Sequence, residues 1–444
     1  MILRTELRRS AAPVIGVGVL LFTVGMLYGM SGPWWKGTAP WHEQWTGLAQ
    51  WVRYLGVFLW PLLLGAGAWH GLRDRRAGVR ELLSSTPRSA WRRVLPTAGA
   101  LAIGLAGAFV VVLVVGGVQV ALTASYFHVK WVPVAAVGLL AYLGAVLLGA
   151  GLGRLVPSLL TPPVLAVGGV AVQISLIQSG WPEWLTPTIE APEITVFTTV
   201  SVPVTLVQAL WFAAIAATGF GLLAANQARL RLAALLPVVL GLAITVPVLS
   251  QQDSHVADRD AVAMVCDEQD GRVCVTRAHE AELARFAGPA REALALLAKL
   301  PDAPTSVEEL ADERPRDGVV AVSLFGDGVR GSEALDDPAD IRLSVLAGAG
   351  TPLCVDGSEE TYRWAVTTRM AMARTVAAAW FTGELAPLPY YREMPTTEGA
   401  AVQRVWRTFR ALPETAQRAR VAELRDAALD CDPAVDLLDI LVAP

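Results

Sequence analysis

The chain has 444 residues, of which 54% are hydrophobic and only 17% charged, with a formal net charge of −4. Soluble domains carry about 25% charged residues, so this composition argues against a soluble fold and for a membrane protein. The charge is also split: residues 1–250 hold 16 Lys and Arg against 7 Asp and Glu, a net of +9, whereas residues 251–444 hold 20 against 33, a net of −13. Two physically different halves follow, and no nucleic-acid partner is expected. Basic residues are almost all Arg, and Asn226 is the only Asn; with abundant Ala, this coding bias suggests a bacterium with a GC-rich genome, as in actinobacteria.

The N-terminus is short and basic, with Arg4, Arg8 and Arg9. A bilayer core of about 30 Å needs about 20 apolar residues per helix. Seven runs qualify, near 12–30, 52–71, 95–123, 131–151, 162–180, 203–224 and 232–250. The first is too long for a removable signal peptide, and residues 31–35 offer no small-residue cleavage pattern.

Residues 71–95, GLRDRRAGVRELLSSTPRSAWRRVL, carry seven arginines between two apolar runs. Within them VRELL predicts a short helix with Val79, Leu82 and Leu83 on one face, and Thr86 followed by Pro87 is a good cap and first residue for the next helix. Placing the N-terminus in the cytoplasm assigns 13 Lys and Arg to cytoplasmic loops and three (Lys36, Arg53 and Lys130) to outer loops and span edges. That bias is a strong orientation signal, and it leaves residues 251–444 outside the membrane. The expected localisation is therefore a multi-pass cell-membrane protein with an extracytoplasmic C-terminal domain.

The spans hold almost no ionisable residues, which argues against ion-coupled transport. Polar residues at membrane depth include Gln119, Gln173, Gln178 and Gln208; they serve either as hydrogen-bond glue between helices or as candidates for lining a translocation path.

All four cysteines, Cys266, Cys274, Cys354 and Cys431, fall in the outer half, and an even count in an oxidising compartment suggests disulfides. AVAMVCDEQDGRVCVTR reads as a β-hairpin with a three-residue loop, Gln269 to Gly271, which puts Cys266 opposite Cys274. Two other pairings of the four remain open. The rest of the outer half predicts a mixed α/β domain, with helices over 278–300, 359–381, 397–412 and 416–428 and a strand over 318–325. The segment 251–260 reads as a short polar linker.

No catalytic, metal or cofactor site is expected. The run beginning His279-Glu280 starts like a zinc-protease helix, but position 283 is Leu where the second ligand belongs. A G-x-S-x-G elbow and a phosphate-binding loop are both missing from the sequence.

With its basic N-terminus, first hairpin of spans and the segment Arg75 to Pro87, of the form R-x-x-G-x-x-E-L-L-x-x-x-P, the first half resembles permease subunits of ABC-type exporters, the ABC-2 superfamily. The turn GLGRLVPSLLTPP at 151–163 and the outer loop at 179–203 are also similar to that family's plan. The resemblance covers about residues 1–226. It implies a permease-like domain over 1–250 with a coupling loop at 72–94, in which Val79, Arg80, Glu81, Leu82, Leu83 and Pro87 meet a separate ATP-binding subunit. It further implies two copies of that ATPase and a second permease half, either a homodimer mate or a relative. The seventh span and the outer domain depart from the family plan, so the alternative is an anchored extracytoplasmic binding, sensor or accessory protein.

Overall fold

The long apolar runs of the first half form helices, because in a lipid environment each backbone amide has only its own segment to bond with. The computed structural model describes residues 2–29, 45–73, 89–124, 126–178, 183–188, 197–251, 255–309, 318–322, 337–351, 369–389, 396–430 and 435–442. Two units emerge, Met1–Asp258 and Arg259–Pro444, each with its own hydrophobic core. The division falls eight residues later than the end of the last apolar run.

The first unit comprises α1 (Ile2–Arg9), α2 (Ala12–Gly29), α3 (Trp45–Tyr54), α4 (Gly56–Gly71), α5 (Ala90–Thr123), α6 (Trp131–Leu155) and α7 (Thr161–Gln178). These are followed by β1 (Thr198–Val200), α8 (Val202–Ala224), α9 (Ala228–Ala233), α10 (Leu236–Leu249) and β2 (His255–Ala257). Among the described residues five stretches are long and apolar enough to cross a membrane: α2, α5, α6, α8 and Ala228–Leu249, and the count is six if α3 and α4, bent by 48°, form one span. The segment expected as a fifth span is a shorter apolar helix, Thr161–Leu176. By length and composition this unit is a helical membrane domain; Val14, Val167 and Leu122 stand 70% or more exposed, as lipid-facing side chains do.

Helix α6 is the centre of the bundle, and glycine sets how close its neighbours come. A Cβ on Gly149 would lie 2.1 Å from the Leu64 carbonyl oxygen of α4, and one on Gly67 of α4 would lie 2.1 Å from the Val146 oxygen of α6. On the other side, a Cβ on Gly219 of α8 would come within 2.3 Å of the Leu147 carbonyl carbon. Backbones in direct contact make up for the missing hydrophobic drive between helices in lipid.

Within the stretch read as a short polar linker, residues 255–257 form a strand. β2 pairs antiparallel with β1, matching Thr199 with Val256, and the Asp258 amide donates to the Phe197 carbonyl at 2.8 Å. Its backbone polar groups found partners in a distant loop, which local composition did not reveal.

The second unit carries a four-stranded sheet in the order β3 (Met264–Cys266), β4 (Val273–Thr276), β5 (Ser306–Glu309), β6 (Val319–Val322). The first pair is antiparallel and the other two are parallel. Cys266 stands opposite Cys274, the two are disulfide-bonded with Cα atoms 4.0 Å apart, and Gly271 takes the left-handed turn position at φ 65°. Cys354 and Cys431 lie outside the described residues.

Helix α11 (Leu283–Leu297) buries Phe286, Ala290, Leu294 and Leu297 in the same core as the inward strand residues Val273, Val307 and Val320. Helix α12 (Pro338–Leu346), not foreseen, starts where the Asp337 carboxylate accepts from the Ala339 amide at 2.8 Å. The remaining helices are α13 (Arg369–Thr382), α14 (Thr396–Arg410), α15 (Glu414–Asp430) and α16 (Leu437–Val442). Pro413 separates α14 from α15. The expected beginning of α13, residues 359–368, is outside the described residues.

Two buried arginines organise the loop after α12. Residues 348–350 all have positive φ, and Arg425 Nη1 donates to the carbonyls of Ala349 (2.8 Å) and Gly350 (3.1 Å), while Arg374 Nη2 donates to Thr351 O at 2.6 Å. Charge-assisted bonds thus hold three successive left-handed residues, a conformation that costs free energy for Ala349.

Candidate functional site

The most unusual side chain in the membrane unit is Arg53. It is a guanidinium with no exposed surface, sitting inside a bundle of apolar helices. It occupies the last turn of α3, just before the bend into α4. Helix α3 presents Thr46, Gln50 and Arg53 at positions i, i+4 and i+7, so all three lie on one face. Thr46 Oγ1 shares a hydrogen bond with His128 Nε2 at 3.2 Å, and the Gln50 amide pairs with His255 Nε2 at 3.2 Å. Arg53 completes the stripe, donating from Nη2 to Gln208 Oε1 of α8 at 2.9 Å and from Nε to the Pro187 carbonyl at 3.3 Å.

Room for the arginine comes from Gly138 of α6, where a Cβ would lie 2.6 Å from Arg53 Cγ. The bend beside it frees backbone groups, and side chains satisfy them. Tyr142 of α6 donates its hydroxyl to the Val52 carbonyl at 2.9 Å, and Gln173 of α7 donates to the Gly56 carbonyl at 3.3 Å. Side-chain bonds of this kind at a break are what permit irregular backbone in a membrane domain.

Above the arginine lies the segment 183–188, whose Leu185, Thr186 and Thr188 are buried. Three side-chain donors clasp three of its carbonyls. Gln208 Nε2 reaches Trp184 O at 2.8 Å, Trp211 Nε1 reaches Leu185 O at 2.9 Å, and Arg53 reaches Pro187 O. Gln208 therefore joins the arginine to the segment through its two amide atoms.

Arg53 Nη1 and Gln173 Oε1 are buried and have no hydrogen-bond partner among the described residues. No described carboxylate reaches Arg53. The site is consequently a fixed positive charge, held by neutral acceptors, with unused donor capacity.

Of the four glutamines singled out in the sequence, Gln173 and Gln208 both come to this bend. Gln119 lies elsewhere on α5, accepting the Tyr28 hydroxyl at 2.9 Å, and Gln178 is exposed at the end of α7. The expected coupling residues Val79, Arg80, Glu81, Leu82, Leu83 and Pro87 lie outside the described residues. By sequence Arg53 is a span-edge charge; the signal that marks it is the spacing Thr46, Gln50, Arg53 within an otherwise apolar stretch.

In the second unit, His279 is also buried, and its Nδ1 is taken by Glu309 Oε1. The other Glu309 oxygen accepts from the Thr276 amide at 2.7 Å and the Thr276 hydroxyl at 2.6 Å. Among the described residues no cluster of three or more His, Cys, Asp or Glu side chains is arranged to hold a metal.

Comparison with family models, curated proteins and solved structures found no match. What the chain does must therefore be argued from its own residues.

Proposed function

We propose that this chain is the membrane-spanning permease subunit of an ATP-driven exporter of the ABC-2 type, working with a separate ATP-binding subunit and a second permease half. The observation that carries this reading is how the arginine-rich loop leaves the bundle. At its start, Arg73 forms a two-pronged bond to Glu6 of α1, at 2.8 and 3.0 Å, and a third bond to Thr97 Oγ1 of α5 at 3.1 Å. A displacement of the loop is thereby delivered to α1, α4 and α5 together. Helix α4 ends two residues before Arg73 and begins at the bend that holds Arg53, so the same displacement reaches the buried charge and the segment clasped above it.

In this reading the seven apolar helices are all spans, the bent pair counting as one and the short α7 as another. The N-terminus and the 72–94 loop are cytoplasmic, and residues 259–444 are extracytoplasmic. ATP hydrolysis belongs in this reading to the partner, which agrees with a sequence that carries no phosphate-binding loop. The alternative, an anchored extracytoplasmic binding or accessory protein, draws on the independent core of the second unit.

The test is Leu82→Asp. A charge on the apolar face of the loop helix would be buried without a partner in an ATPase cleft, at a cost of several kcal/mol. The variant should reach the membrane at wild-type levels and fail to co-purify with the ATPase or stimulate its turnover. Retention of both would favour the alternative.

A further inference from the structure

We propose that Arg53 is an oxyanion-recognition residue inside the membrane unit, its Nη1 amine receiving a phosphate or carboxylate group at the bend between α3 and α4. The proposal deepens the permease reading by naming the chemical class of what the path accepts.

The argument starts from charge. A guanidinium keeps its proton under all ordinary conditions, so Arg53 carries a full positive charge with none of its surface exposed. Its described partners are one carbonyl and one amide oxygen, both neutral. Burying a charge without a counter-charge costs several kcal/mol after the protein relaxes, and inside membranes such residues mark substrate or ion pathways. A buried arginine serving only as a structural staple would use its full fork of donors. The buried Arg374 and Arg425 show the contrast, because neither has a buried nitrogen left without a partner, whereas Arg53 Nη1 is.

Geometry supports the same assignment. Discontinuous helices are where membrane transporters build polar binding sites, because the break exposes backbone groups beside side chains of neighbouring helices. Here the break brings together Arg53, Tyr142, Gln173 and Gln208 from α3, α6, α7 and α8. The planar fork of arginine matches two oxygens of one phosphate or carboxylate. An arriving oxyanion bridging Nη1 and Nη2 would exchange for the Gln208 oxygen and leave the Nε bond to Pro187 in place. Gln208 also donates to the Trp184 carbonyl, so binding and the hold on the segment above would share one side chain.

The oxyanion has two sources, a lipid headgroup or a soluble anion. The full-length protein in phosphatidylcholine nanodiscs, followed by tryptophan fluorescence on heating, distinguishes them. One arm mixes in phosphatidylglycerol; the other adds inorganic phosphate to the buffer. Saturating a site specific to the folded state is expected to raise the unfolding midpoint by about 5 °C. A rise with the lipid alone assigns a headgroup, and a rise with phosphate assigns a soluble oxyanion.

Either rise must vanish in Arg53→Met. Should that variant not reach the membrane, Gln208→Glu carries the same test, since a carboxylate beside Nη2 supplies an internal counter-ion that competes with the ligand. No rise in the wild type, or an equal rise in the variant, overturns the proposal. The measurement needs no ATPase, so its outcome is independent of whether the coupling loop binds one.

Discussion

Lys130 Nζ lies 2.6 Å from Asp258 Oδ1, joining the residue before α6 to the last residue of the membrane unit. The lysine side chain is 41% exposed and the carboxylate 2%. The two ends of this pair are therefore not equivalent. Removing the lysine deprives a buried carboxylate of this cation, whereas replacing the aspartate leaves a lysine that water can solvate. Lys130→Met is expected to destabilise more than Asp258→Asn, and to expose the 251–258 segment to protease. Equal cleavage rates in the two variants would contradict this asymmetry.

The contact between α4 and α6 predicts a sharp size limit at Gly149. With a backbone oxygen 2.1 Å from the would-be Cβ, Gly149→Leu must separate the helices and should cost more than the roughly 1–3 kcal/mol typical of overpacking. Gly168 of α7, whose added Cβ meets nothing within 4 Å, provides the control. Gly168→Ala should be neutral or stabilising, by up to about 1 kcal/mol, since alanine is the better helix former. Thermal unfolding in detergent monitors both.

In the second unit, Glu309 serves three donors from a position 2% exposed. Glu309→Ala would leave the buried Thr276 amide and hydroxyl without their acceptor, a penalty of about 3 kcal/mol or more. Glu309→Gln keeps one acceptor oxygen and should fall in between. The order wild type, Gln, Ala should appear as rising rates of limited proteolysis at 265–310.

The bridge between Cys266 and Cys274 closes a loop of only eight residues. Chain-entropy arguments give such a loop about 2.5 kcal/mol of stabilisation. Cys274→Ser should lower the unfolding midpoint under oxidising conditions and abolish the difference between oxidised and reduced wild type at this site. Non-reducing peptide mapping should return the 266–274 linkage, and finding Cys266 joined to Cys354 would contradict the strand register.

The sequence by itself determined the apolar helices, the change of charge near residue 250 and the Cys266–Cys274 hairpin. These features are local: hydrophobic run length, charge balance and turn chemistry are written in consecutive residues. The helix boundaries around Pro413 were legible for the same reason, because proline is favoured at the start of a helix and disfavours helical backbone in the residue before it. Only the tertiary structure decided that Arg53 is buried, that 255–257 forms a strand and that Arg374 and Arg425 hold a left-handed loop. Each of these depends on partners far away in the chain. Gln208 is 155 residues from Arg53, and Arg425 is 76 from Ala349. An arginine at the edge of an apolar run reads as solvated until the bend of its helix and the glycine opposite it are known. Burial of a polar group is a property of its surroundings, and no local period encodes surroundings assembled from four helices.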